Sequence, residues 1–130
     1  MSAVERIVLT VPAPCAWINA NDRGMHWGAK ARLTRQWRDA ACWAAKAAKM
    51  PTFAGQVHIE AHVHKVHGRS YDASNWALTA KAAIDGLRDA GVLLEDDNAH
   101  VVGPDMRAGH RAPEGAFLRL IITPPKEWKP

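Results

Sequence analysis

The stretch Ser74–Gly91, SNWALTAKAAIDGLRDAG, decides how the chain folds. Trp76, Ala80, Ala83, Ile84 and Leu87 recur at helical spacing and make one apolar stripe. Lys81, Asp85 and Arg88 fall together on another face. Ser74 has the chemistry of an N-cap, and Gly91 that of the left-handed residue that closes a helix. The stretch therefore predicts a helix over 75–90 with one buried side.

Outward from this helix the pattern changes period. Upstream, Val57 to His64 alternates Val57, Ile59, Ala61 and Val63 against His58, Glu60, His62 and His64. That is a strand with one wet face. No cysteine partner or helical HExxH accompanies the histidines, so they read as solvent-facing strand residues rather than a zinc site. Downstream, Val101-Val102 and Ala116 to Thr123 read as strands. Between them Gly103-Pro104 and the region of Gly109 read as turns, carrying Arg107, His110 and Arg111. Arg6 to Val11 is a β-branched strand ended by Pro12 and Pro14, and 28–49 is an Ala-rich helix without internal Gly or Pro. Pro124 to Pro130 reads as a loosely held tail.

The order strand, helix, strand, helix, strand, strand predicts an α+β domain. Its mixed sheet has about four strands, packed by two helices. The chain's 130 residues fit one domain, and 48% apolar residues supply a core. There is no run of 18 apolar residues to cross a membrane, and no charged-then-apolar leader. Cys15 and Cys42 form no disulfide framework. The expectation is a cytoplasmic protein with reduced thiols.

Charge is distributed unevenly. The net charge is +4, but residues 1–70 hold ten Lys/Arg and four Asp/Glu, and residues 71–130 hold seven and nine. On the first helix Arg32, Arg35, Arg38, Lys46 and Lys49 gather opposite an Ala/Trp side, with Asp39 among them. Such a stripe suits phosphates or solvent. The acids concentrate around the second helix: Asp72 before it, and Glu95, Asp96 and Asp97 after it. Adjacent carboxylates repel. If the last strands pair beside the Val57 strand, Asp72 and the triplet can meet. Mg²⁺ or Mn²⁺ would then offset the repulsion and serve phosphate chemistry. The triplet can equally be a solvated turn.

The segment Arg69–His100, RSYDASNWALTAKAAIDGLRDAGVLLEDDNAH, resembles the core signature of the RusA-type Holliday junction resolvases. That signature is an Asp-x-Asp-Asn element, a helix with K-A-x-x-D-x-L, then A-G-hydrophobic and an Asp-Asp pair. Asp72 and Asn75 match the first element, Lys81 to Leu87 the helix, Ala90-Gly91-Val92 and Asp96-Asp97 the end. Ser74 replaces the second Asp, the Asn75–Lys81 spacing is about three residues longer, and the acid pair has become a triplet. The resemblance implies a homodimer that binds four-way DNA junctions and nicks paired strands with Mg²⁺. It implies Asp72, Asp96 and Asp97 as catalytic metal ligands, with Lys81 stabilising charge on the phosphate. Arg32, Arg35, Arg38, Arg69, Asn75, Arg107 and Arg111 are the expected DNA contacts. A junction-binding protein that has lost chemistry and a metal-dependent nuclease of broader specificity are the alternatives.

Overall fold

The computed structural model describes residues 6–19, 21–22 and 24–124. The elements are β1 (Ile7–Pro12), α1 (Trp27–Ala47), β2 (Val57–His64), a 3-10 turn (Ala73–Trp76), α2 (Ala77–Asp89), β3 (Val101–Ala108) and β4 (Phe117–Thr123). The strands form one sheet in the order β1-β4-β2-β3. β4 runs antiparallel to both β1 and β2, and β3 runs parallel to β2. The α+β class with a mixed four-stranded sheet and two helices is therefore as the periodicities predict.

Alternation explains which side of the sheet the helices cover. Leu118, Leu120 and Ile122 of β4 are buried, as are Leu9 and Val11 of β1 and Ile59, Ala61 and Val63 of β2. They lie in register: Leu9 pairs with Leu120, and Leu120 with Ala61. Burying these rows under the helices is the main apolar contribution to the fold.

Three expectations change. β3 does not stop at Val102; it runs through Gly103-Pro104 to Ala108. Val102 pairs with His58 but Asp105 with Glu60, so β3 carries one extra residue there. A bulge on an edge strand is where Pro is tolerated. Gly103 has φ 124, and a Cβ on it would lie 2.5 Å from the Ile59 carbonyl. Second, His58 and His64 are buried at 8% and 3% exposure. β2 is a central strand, and its neighbours cover it: the His64 ring stacks 4.3 Å from Phe117 and meets His110 edge-on at 4.4 Å. Third, Ser74 does not cap α2. Asp72 caps the 3-10 turn, accepting from the Ser74 N–H at 3.0 Å, and α2 begins at Ala77 with no side-chain cap. Gly91 does adopt the left-handed conformation, with φ 81.

The helices are held by close approaches. Trp37 is buried and donates from Nε1 to the Ala16 carbonyl at 2.9 Å. Thr79 accepts from the Ile18 N–H at 2.8 Å and donates to its carbonyl at 3.2 Å, tying the segment before α1 to α2. Gly86 faces α1 so closely that a Cβ there would overlap the Arg38 carbonyl and lie 3.0 Å from the Ala41 Cβ. Trp27 and Trp43 are exposed on α1. Cys15 and Cys42 are both free thiols. Pro124 is buried; the rest of the expected tail, 125–130, lies outside the described residues.

Gly86→Ala separates helix propensity from packing. On an open helix the change gains about 1 kcal/mol. Here the added methyl meets backbone, so we expect a net loss of about 1–3 kcal/mol in urea unfolding. Gly55→Ala, where nothing lies within 4 Å of the new Cβ, is the control and should be near neutral. Equal stability of Gly86→Ala and wild type would show that the helices do not touch there.

Candidate active site

Lys81 and Asp85 stand four residues apart on α2 and therefore share one face. That face meets the start of β3. Between them lies a cavity of about 40 Å³ lined by Lys81, Ile84, Asp85, Asp96, Val101 and the Gly103-Pro104 bulge. Asp96 is delivered by the turn after α2. Gly91 reverses the chain, the Val92 N–H bonds the Leu87 carbonyl at 3.0 Å, and Val92 and Leu93 are buried. Leu93 bridges to Phe53, which fixes the direction in which the acids leave.

The triplet then splits. Asp97 turns to the following residues: its Oδ1 accepts from the Ala99 N–H at 3.1 Å and lies 2.6 Å from His100 Nδ1. The His100 hydrogen bond comes first in holding the Asp97 carboxyl below its ordinary range. Glu95 faces Arg88, 3.6 Å from Nη1. Asp96 faces Asp85, and the two carboxyls share a hydrogen bond. Burial first, then that bond and the Asp96 charge, push Asp85 up to about 6. Asp96 is lowered, first by the bond from Asp85 and also by Arg88, whose Nη1 is 3.6 Å from its Oδ1. Below about pH 6 Asp85 therefore holds a proton beside the Asp96 carboxylate, and above it both carry charge.

Of the four expected catalytic residues, the structure brings Lys81 and Asp96 to this cavity. Asp72 and Asp97 do not line it. Asp72 precedes the 3-10 turn, and its carboxylate is lowered by the hydroxyl and N–H of Ser74. From Ala77 to Asp85 alone is about 12 Å of helix at 1.5 Å per residue. Among the described residues, no three His, Cys, Asp or Glu side chains are gathered as a metal cluster. Asp85, the Asp of the K-A-x-x-D-x-L match, is not among the expected site residues and joins them here. The sequence signal for it was its i+4 spacing from Lys81.

The expected DNA contacts fare unequally. Arg32 and Arg35 are exposed on α1. Arg38 is engaged by Asp89 of α2, with Nη2 donating at 2.8 Å. Arg107 pairs with Asp105 at 2.9 Å. It lies opposite His62, on the sheet face away from the helices. Asn75 accepts from Asn21 Nδ2 at 2.8 Å. Arg111 donates from Nε to the Val66 carbonyl at 2.9 Å, and the Arg69 side chain is exposed.

Comparison with protein-family models and with curated protein sequences gave no match.

The donor set fits a hard divalent cation. Asp85 and Asp96 offer only oxygen, and without an ion a proton on Asp85 relieves their repulsion below about pH 6. Mg²⁺ in phosphate chemistry is held by one or two carboxylates with waters and phosphate oxygens completing its shell. The shared proton has a measurable consequence. A carboxyl with an ordinary value of 3.8 that sits at about 6 in the folded chain is more easily protonated folded than unfolded. Its contribution to stability is complete below pH 3.8 and is lost as the pH rises through about 6. Asp85→Asn keeps a donor for Asp96 and does not ionise. It should melt above wild type at pH 7.5, and the gap should close towards pH 4. A gap independent of pH would mean that the carboxyls do not share a proton.

Proposed function

We propose that the chain is a Mg²⁺-dependent endodeoxyribonuclease that binds four-way DNA junctions as a cytoplasmic homodimer and hydrolyses phosphodiesters at the branch. Mn²⁺ would substitute. The observation that carries this reading is that Lys81 and Asp96, 15 residues apart and both matched to the RusA-type signature, border one cavity with Asp85. Asp85 and Asp96 would hold the ion. The bound cation offsets phosphate charge and lowers the pKa of a coordinated water. Lys81 would stabilise the charge developing on the scissile phosphate. The proton between Asp85 and Asp96 leaves when the ion binds, so affinity for the metal rises as the pH passes about 6. Asp72, at the end of the loop from β2, would approach the site from the side of the 3-10 turn. Two-fold symmetry suits a junction, whose paired nicks need two sites. The exposed Trp27 and Trp43 of α1 offer apolar surface for a second copy.

The second reading is a junction-binding protein without chemistry. It is favoured by Ser74, which replaces a carboxylate of the signature and holds the Asp72 carboxylate at 2.8 Å. One assay separates the two. A synthetic four-way junction is incubated with and without Mg²⁺ beside linear duplex. The first reading expects nicks only in the junction and only with Mg²⁺; the second expects binding without product.

Asp96→Asn and Lys81→Met should each lower nicking by about 100-fold or more. Junction affinity should hold or rise in Asp96→Asn, since a negative charge facing phosphate is gone. Asp97→Asn keeps an oxygen for the Ala99 N–H and loses only the charge facing His100, so nicking should survive better than in Asp96→Asn. Full cleavage by Asp96→Asn would place the chemistry elsewhere. Sedimentation at micromolar protein should give twice the mass of one chain; a monomer in the presence of junction DNA would end the dimer reading.

A further inference from the structure

Two parallel strands, β2 and β3, end at the same side of the sheet, and the segments that leave them are stitched together. The Gly109 N–H and the Tyr71 hydroxyl both donate to the Val63 carbonyl, at 2.8 and 2.9 Å. The Ala112 N–H donates to the Lys65 carbonyl at 2.8 Å, and Arg111 Nε to the Val66 carbonyl at 2.9 Å. These bonds frame a cavity of about 180 Å³ whose charged and titratable lining is Lys65, His67, Arg69, Tyr71 and Arg111, with no carboxylate. At about 30 Å³ per water it has room for roughly six waters, or for one tetrahedral anion with part of its shell.

The cations there are crowded without a counter-charge. Burial first, then Arg69, lowers the Lys65 ammonium; desolvation first, then Arg69 and Lys65, lowers His67. The Lys65 Nζ is also fixed in place. It sits 3.6 Å from the Trp76 ring centroid, with Tyr71 at 5.6 Å and Trp17 at 5.9 Å. Aromatic faces attract and orient an ammonium but do not neutralise it. An ordered lysine, two arginines and a histidine around one void, held by backbone hydrogen bonds, make a preorganised anion seat.

We propose that this pocket seats one phosphate group of a nucleic-acid backbone, with Lys65, His67, Arg69 and Arg111 as its ligands. The choice of nucleic acid rests on the function proposed above; the affinity for phosphate does not. The pocket lies beyond the C-terminal end of β3, and the acid cavity at its N-terminal end. From Gly103 to Gly109 the strand spans about 20 Å at 3.3 Å per residue. The two sites are thus separated along the sheet by about 20 Å, a distance that one bound nucleic acid can span.

The probe is inorganic phosphate, titrated at constant ionic strength against chloride while amide shifts are followed by NMR. We expect saturable shifts confined to residues 65–71 and 109–112, weakened at least fivefold in Lys65→Met and in Arg69→Gln. Arg69→Gln changes an exposed side chain and keeps the test valid if Lys65→Met fails to fold. Each variant should also lower the salt slope of junction binding by about one. No saturable shift in wild type overturns the pocket, whatever DNA does. Phosphate binding with an unchanged DNA slope overturns the nucleic-acid assignment in favour of a free phosphate ligand. Failure of wild type to cut junctions while phosphate still binds counts against the nuclease and leaves the seat standing.

Discussion

The two helices meet backbone to backbone at Gly86, and most of what can be said about the site depends on that contact. Only a residue without a side chain lets α2 lie against the Arg38 carbonyl and Ala41 of α1. With Gly86 pinned to α1, the positions about 100–140° around the helix, Asp85 and Lys81, are turned from α1 towards the start of β3. The Arg38–Asp89 pair crosses the same seam. Being half-exposed, it contributes less than the packing it accompanies. Thr79, clamped to both backbone groups of Ile18, fixes the other end of α2. The pocket of Lys81, Asp85 and Asp96 is thus a consequence of how closely two helices approach, and not of a local acid-rich motif alone.

The run Glu95-Asp96-Asp97 is tolerated because the fold never lets it act as one cluster. Glu95 and Asp96 share the Arg88 guanidinium, Asp96 also meets Asp85, and Asp97 turns away to His100 and the Ala99 N–H. The repulsion is met by one shared cation and by turning the third acid away. The basic residues divide in a related way. Arg38 and Arg107 are matched by carboxylates within the chain, whereas Lys65, Arg69 and Arg111 crowd together at the end of β2 with none in their pocket. Binding surfaces in a basic chain are better sought among the cations left unmatched than along the stripe with the most arginines.

How far the sequence could be read follows from where each constraint lives. The α2 stripe and the left-handed Gly91 are local, set by period and by one backbone conformation, and both are legible. The strand through Gly103-Pro104 is not. Those residues signal a turn, and only the position of β3 at the sheet edge makes a bulged Pro acceptable there. Alternation in β2 is legible, but burial of His58 and His64 depends on which strands flank them, which the strand itself does not encode. Asp85 shows the same limit at the site: its meeting with Asp96 is made by a turn and a helix crossing, neither of which leaves a spacing rule. The resemblance pointed to Lys81 and Asp96, and to Asp72 and Asp97, without the information that separates the first two from the others.

The proposed function requires that the Asp85 and Asp96 carboxyls seat a divalent cation. Crystals grown with Mn²⁺ at pH 7.5, above the value of about 6 at which Asp85 gives up its proton, allow the ion to be located by its anomalous scattering. The account predicts one strong peak between the Asp85 and Asp96 carboxylates, absent from Asp85→Asn crystals. A peak on Asp72 or Asp97 instead, or no peak in the cavity at saturating Mn²⁺, would contradict it.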